Sequence, residues 1–251
     1  FVFLPYLDHC LYAIGLLGSP FGKTPWIGIA MRPSFHYDEM GITAPTPPLL
    51  KLKRLLFLRV IKNRYLKSLL TIDQPLVEYL ENRINNFEKV NFLPEPCDLG
   101  ILLDQREAKK KLGIDPCRKI VLVYGALNSR KGAGDLLRAI ADSACPKVIG
   151  VVLAGKVADD IRALFKEQWV KTLQKGKRIF VIDRFITTED ERILFSAVDM
   201  VWLGYRDHYT SSGVLVQAAR AGLPVIACEE GIIGWQTTRH NMGIVVQTHD
   251  T

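Results

Sequence analysis

From about residue 100 onward the chain alternates short, unbroken apolar runs with stretches of helical composition, and no other feature restricts its fold as much. Runs at 119–124, 148–154, 178–182, 200–203, 224–227 and 243–246 are dense in Val, Ile and Leu and lack strict apolar–polar alternation. Strands buried on both faces read this way. Helices are expected between them at 107–112, 132–143, 158–175, 188–197 and 213–221. The helix at 188 carries a capping box, either Thr187 with Asp190 or Thr188 with Glu191. Doubly apolar strands separated by helices predict a parallel sheet covered on both sides. Such sheets bind ligands outside the carboxyl ends of their strands, where loops run into helix N-termini.

Before residue 100 the order is looser. Strands are expected at 1–4, 26–31, 69–72 and 90–93, helices at 9–18, 49–69 and 74–85, and a Pro-rich loop at 45–48. The whole reads as α/β, with two Rossmann-like doubly wound domains at residues 1–98 and 99–251. The first is incomplete: the chain opens on Phe1, already inside an apolar run, and is read as a fragment.

At 251 residues, 48% hydrophobic and 24% charged, the composition is that of a globular protein and excludes disordered and fibrous classes. No apolar run approaches the roughly 18 residues of a membrane span, and Pro5, Asp8 and His9 interrupt the opening, so a cytoplasmic location is expected. Five cysteines, an odd number with no CxxC pair, argue for reduced thiols and against a zinc site. The net charge of +7 is uneven: residues 51–70 hold seven Lys/Arg and no acid, which suggests an anionic partner. Projected at about 100° per residue, the cations of 49–69 fall all round the axis. A solvated helix is therefore the plain expectation, with a peripheral membrane contact on the cytoplasmic face left open. Nucleic acid is not expected, because the aromatics are not interleaved with the charges.

Two segments carry chemistry. Gly125 follows a strand, and Arg130, Lys131 and Gly132 open a helix, so two cations stand beside a helix N-terminus where a diphosphate would be neutralised. The competing reading is a solvated basic turn. This is neither GxxxxGK[ST] nor GxGxxG. In the second segment Ser211 or Ser212 is an N-cap, Gly213 lets an amide approach an anion, and Gln217 lies one turn into the helix that Gly222 and Pro224 end. An amide there suits ribose hydroxyls. A plain helix cap is the competing reading.

Taken together, the two segments resemble the C-terminal domain of a GT-B glycosyltransferase of family 4. Gly125, Lys131 and Gly132 match its first motif, and Ala218, Gly222, Pro224, Val225, Ile226 and Ala227 match its second. Residues 92–98 resemble its interdomain segment. The resemblance covers almost the whole chain, from partway through an acceptor-side domain to a point before the closing helices. It implies transfer of a sugar from a nucleotide diphosphate sugar, retaining and metal-independent, with no cofactor. The acceptor, whether a glycan, a lipid-linked molecule or a small molecule, is not identified. Three positions depart from the pattern: Tyr209 and Gln217 stand where the family has glutamates, and Ala126 where it has an arginine. Arg130 is then the substitute cation, and Asp207 or His208 the candidate for the lost carboxylate. Arg184, near the expected nucleobase position, carries little weight.

His36 follows a buried strand, where the family often places a histidine close to the sugar, and Arg32 beside it is a candidate for an anionic group. A structural loop histidine is the equal alternative. The assignments are His36, Lys131 and Arg130 as catalytic, Gly125, Gly132, Ser211, Ser212, Gly213 and Gln217 as donor-binding, and no metal. The rival functions are a non-catalytic nucleotide-sugar or nucleotide binding domain and a GT-B-fold nucleotide-sugar epimerase or phosphorylase.

Overall fold

The computed structural model describes residues 1–84, 88–142 and 144–247. The chain divides into two compact units: Phe1–Glu95 with Tyr209–Ser211 and Glu230–Ile232, and Pro96–His208 with Ser212–Glu229 and the residues from Ile233 onward.

The first unit contains β1 (Val2–Leu4), α1 (Leu11–Leu17), β2 (Trp26–Ile29), α2 (Leu50–Ile61), β3 (Leu66–Thr71), α3 (Gln74–Arg83) and β4 (Val90–Phe92). Its four strands are parallel in the order β1-β2-β3-β4. Trp26, Leu66 and Leu69 from the sheet meet Phe57, Val60 and Ile61 of α2 and Leu76, Tyr79 and Leu80 of α3 in one buried core. Each such side chain contributes about 1.5–3 kcal/mol. The helix expected at 49–69 is in fact α2 alone. Asn63 stops it, with its Oδ1 accepting the Tyr65 amide at 2.9 Å, and Leu66 and Leu69 are then buried as strand residues. The expected end of α3 at residue 85 lies outside the described residues.

The second unit contains α4 (Gln105–Lys111), β5 (Lys119–Tyr124), α5 (Ala133–Ala141), β6 (Ile149–Ala154), α6 (Asp159–Leu164), α7 (Gln168–Lys175), β7 (Ile179–Ile182), α8 (Thr188–Ala197), β8 (Met200–Leu203), α9 (Gly213–Arg220), β9 (Val225–Cys228) and β10 (Gly243–Val246). Helix α10 (Gly231–Arg239) joins the last two strands and was not expected from sequence. The helix expected at 158–175 is two. Ile161 and Val170, both buried, stand nine residues apart, so a continuous helix would set them about 180° apart; the break after Leu164 turns both inward. Residue 143, the expected end of α5, lies outside the described residues.

The six strands are parallel in the order β10-β9-β8-β5-β6-β7. Alternate residues of β5 serve the two layers: Ile120 and Leu122 pack with Leu194, Phe195 and Leu215, while Val121 and Val123 pack with Leu136, Leu137 and Val170. That accounts for the unbroken apolar runs. From β5 the chain winds out to β6 and β7, then returns to β8 on the other side of β5. The order reverses between β5 and β8, and those two strands pair only at Val121–Met200 and Leu122–Val201. Their carboxyl ends therefore part, at the position where sheets of this kind hold ligands.

Candidate functional site

Beyond β5 the backbone turns at Gly125, whose φ of +101° is open to glycine and costly for other residues. Ser129–Lys131 forms a 3-10 turn, and Gly132, at φ +64°, leads into α5. A Cβ on Gly132 would stand 2.0 Å from the Gly204 carbonyl oxygen. The loop after β5 and the loop after β8 thus touch backbone to backbone. The Trp202 indole locks this contact, donating to the Lys131 carbonyl at 2.9 Å. Arg206 adds a two-pronged bond to the Asp135 carboxylate at the start of α5.

This fold-back lays the Lys131 side chain over Gly125: an ideal Cβ on that glycine would be 3.5 Å from Nζ. The ammonium donates to the Tyr205 hydroxyl at 2.6 Å and lies 4.0 Å from the centre of its ring. Lys131 is 9% exposed and makes no ion pair among the described residues. Burial, with the neighbouring Arg130 charge second, pulls its pKa down to about 8. Burial holds the Tyr205 phenol well above the ordinary tyrosine range, opposed by a hydrogen bond from Ser212. Tyr205 is therefore a neutral phenol beside a buried cation.

Ser212 is the N-cap of α9 by position, but its side chain makes no capping bond. The Ser212 side chain therefore leaves the first-turn amides of α9 uncapped, and a helix start of this kind favours an anion. One turn on, the Gln217 amide nitrogen donates to the Glu191 carboxylate, which also accepts the Tyr124 hydroxyl at 2.7 Å. Burial first, and the Glu191 contact second, raise the Tyr124 pKa. The Gln217 Oε1 is buried without a partner. It is a buried acceptor with no partner among the described residues, at the end of a donor–carboxylate chain.

Gly125, Lys131, Gly132, Ser212 and Gly213 thus converge at the ends of β5 and β8, with Gln217 one turn along α9. Arg130 is exposed, with Nη1 3.2 Å from the His208 Nδ1, so its guanidinium is engaged with the loop after β8. Ser211 belongs to the first unit, where its Oγ donates to Glu95 Oε1 at 3.1 Å. His36 also belongs to the first unit and is fully buried, its Nε2 3.2 Å from Asp73 Oδ1 and its ring among Phe35, Tyr37 and Tyr79. The same Asp73 oxygen accepts the Leu76 amide at the start of α3. Arg184 is taken up by Asp190, the capping-box residue of α8.

Sequence reasoning missed Tyr124, Glu191 and Trp202 as parts of this constellation, and placed Tyr205 only within a polar stretch, 205–208, at the carboxyl edge of the sheet, without its bond to Lys131. Their position at the carboxyl end of β5, in the first turn of α8 and at the end of β8 was the available signal. Each owes its role to a partner at least 67 residues away in sequence.

No protein-family model matches the sequence, and no curated protein does. Among solved structures, the chain is similar to sucrose-phosphate synthase from Thermosynechococcus elongatus, with 17% identity over 95% of this chain and 59% of that one, at a TM-score of 0.61. It is similar to WaaG, a glycosyltransferase involved in lipopolysaccharide biosynthesis, with 16% identity over 95% and 67% and a TM-score of 0.58. It is also similar to Anabaena HepE in complex with UDP, with 18% identity over 95% and 62% and a TM-score of 0.63. The chain therefore spans about three fifths to two thirds of the lengths of these proteins. At such identities the likeness establishes the fold, two parallel-sheet units of the kind found in GT-B glycosyltransferase structures.

Proposed function

We propose that the chain belongs to a glycosyltransferase whose second unit binds a nucleotide diphosphate sugar and transfers the sugar to an acceptor still to be identified. The observation that carries this is Lys131: a buried ammonium with no carboxylate partner among the described residues, held by Tyr205 over a glycine at the carboxyl ends of β5 and β8. A buried cation of this kind is stabilised when an anion arrives. A diphosphate fits, with the α9 amides as further donors and Arg130 at the edge. The neighbours support the choice, since HepE was solved with UDP and with UDP-glucose.

In this reading the leaving diphosphate gathers charge as the glycosidic bond breaks, and Lys131, Arg130 and the helix amides take it up in place of a metal ion. The resemblance of the two motifs to family 4 implies that the transfer is retaining. The Gln217 acceptor would take a hydroxyl of the ribose, steadied by Glu191 and Tyr124. A second reading, binding without transfer, draws on Tyr209 and Gln217 at positions where the resemblance expects glutamates. An epimerase acting on the nucleotide sugar alone would differ from both by its product.

Calorimetric titration of the protein with UDP, GDP and ADP tests the proposal. One of them is expected to bind, and Lys131→Ala to weaken it about 10- to 100-fold, the size of a charged hydrogen bond. Absence of binding by all three defeats the reading. Binding without turnover of donor in the presence of acceptor mixtures, or in their absence, selects the non-catalytic alternative.

A further inference from the structure

At the carboxyl ends of β1 and β2 the first unit holds a small cavity of about 290 Å³. β1 runs into a 3-10 turn at Leu7–His9, and Leu7 is fully buried against β2, where a Cβ on Gly28 would come 2.9 Å from its side chain. Asp8 ties this turn to the loop after β2: one carboxylate oxygen accepts the Met31 amide at 2.9 Å and the other the Arg32 amide at 2.8 Å. Two loops distant in sequence thereby become the walls of one pocket. Tyr6, Asp8, His9, Tyr12 and Arg32 line it.

The fold leaves the binding capacity of these groups largely unspent. Tyr6 exposes 64% of its surface and stands beside the His9 ring, 6.3 Å from centre to centre. Arg32 is exposed and makes no ion pair among the described residues, and no acid other than Asp8 lines the cavity. A carboxylate offers about four acceptor positions, and the two amides leave Asp8 room to accept again on each oxygen. The Tyr12 ring is half-buried, with the Lys53 Nζ 5.9 Å from its centre. Burial, and then the Asp8 charge, raise its pKa, so its hydroxyl keeps its proton and can donate.

Each of these groups selects part of a ligand. The exposed aromatic ring suits an apolar C–H face, the fixed carboxylate and the phenol suit neighbouring hydroxyls, and the unpaired guanidinium suits an acid group held by two parallel hydrogen bonds. A single sugar ring bearing a carboxylate or a phosphate supplies all three. The cavity is also of the right order, at the small end of ligand pockets, which begin at about 300 Å³. We propose that this cavity binds an acidic sugar. That the sugar belongs to the acceptor rests on the transferase reading, whereas the preference for an acidic ring rests on the cavity alone. Sequence marked only Arg32 for an anionic group; the Asp8 bonds are what join it to Tyr6 and Tyr12.

Amide NMR titration of the whole protein with glucuronate, glucose 6-phosphate, glucose and inorganic phosphate reads affinity and place together. An acidic sugar is expected to shift amides of residues 6–12 and 31–32 and to bind about tenfold more tightly than glucose or inorganic phosphate. Binding of either acidic sugar alone supports the proposal and names the acid group. Arg32→Gln should lose about tenfold toward the acidic sugars and nothing toward glucose. Tyr6→Ala should lose about fivefold toward every sugar. Both side chains are exposed, so the rest of the amide spectrum should be unchanged. Absence of shifts at these amides, equal affinity for glucose and the acidic sugars, or shifts confined to 125–132 and 212–217 overturns the proposal. Nucleotide calorimetry is a separate readout. Acidic-sugar binding without nucleotide binding keeps the cavity and defeats the transferase reading, and nucleotide binding without acidic-sugar binding keeps that reading and overturns the cavity's assignment.

Discussion

Lys131 is the residue on which most of the chemistry turns, and its titration makes it testable. Its folded pKa lies near 8, against 10.5 for an ordinary lysine. In the free protein the desolvated ammonium is unfavourable below about pH 8, and that penalty is relieved as pH rises toward 10.5, because the unfolded chain holds its proton longer. Stability from this group therefore rises across that window. Nucleotide affinity has the opposite sign, since the anion binds the protonated form. It should be full below about pH 8 and decline above it, and calorimetry of Lys131→Met should show a weak and flat profile over the same range. A parent profile as flat as that of the variant would remove Lys131 from the anion site. Sequence alone could place Lys131 beside a helix start, because Gly132 and α5 are local signals. It could not place Tyr205, whose hydroxyl comes from 74 residues away. Nor could it see that His36, in a post-strand segment of loop-like composition, is enclosed by Phe35, Tyr37 and Tyr79 with Asp73 as its partner.

At the scale of elements, the legible parts were those whose signal is local. Thr187 and Asp190 form the capping box that starts α8 at Thr188, and the strand at 119–124 has the expected bounds. The illegible parts were decided by distant packing. α10 contains two glycines and three β-branched Ile and Thr at its buried positions, a poor helix by propensity, and exists because Ile232, Ile233 and Thr237 are buried. The loop joining β5 to α5 is the element on which the site depends, and Gly132 is its weakest point. Gly132→Ala would need both a left-handed backbone and a Cβ 2.0 Å from the Gly204 carbonyl oxygen. The loop after β5 must then move away from the loop after β8. A loss of about 3 kcal/mol in denaturant unfolding is expected, together with loss of nucleotide binding. An Ala variant as stable as the parent would show that the two loops are not held in this contact.

For the molecule as a whole, the two units have separate cores. Trp26, Phe57 and Leu69 centre the first, whereas Leu122, Val123 and Val152 lie in the two layers of the second. A ligand seated on Gly125, Lys131 and Tyr205 adds its binding free energy to the native state of the second unit, by RT ln(1 + [L]/Kd), about 2.7 kcal/mol at a hundred times Kd. Amides of β5 and β8 that exchange only when that unit unfolds should then slow by about a hundredfold. Amides of β3, buried in the first unit, should keep their rates. Hydrogen exchange with and without the best-binding nucleotide reads both at once, since peptides covering 119–124 and 200–203 report the second unit and peptides covering 66–71 the first. Equal slowing in both would mean that the anion is held by groups of both units, and the assignment of its site to Lys131, Tyr205 and the α9 amides alone would have to be abandoned. Slowing confined to 66–71 would place the ligand in the first unit altogether. The asymmetry also separates a bound diphosphate from non-specific attraction to a chain of charge +7, because non-specific attraction has no reason to favour the unit that lacks the seven-cation segment.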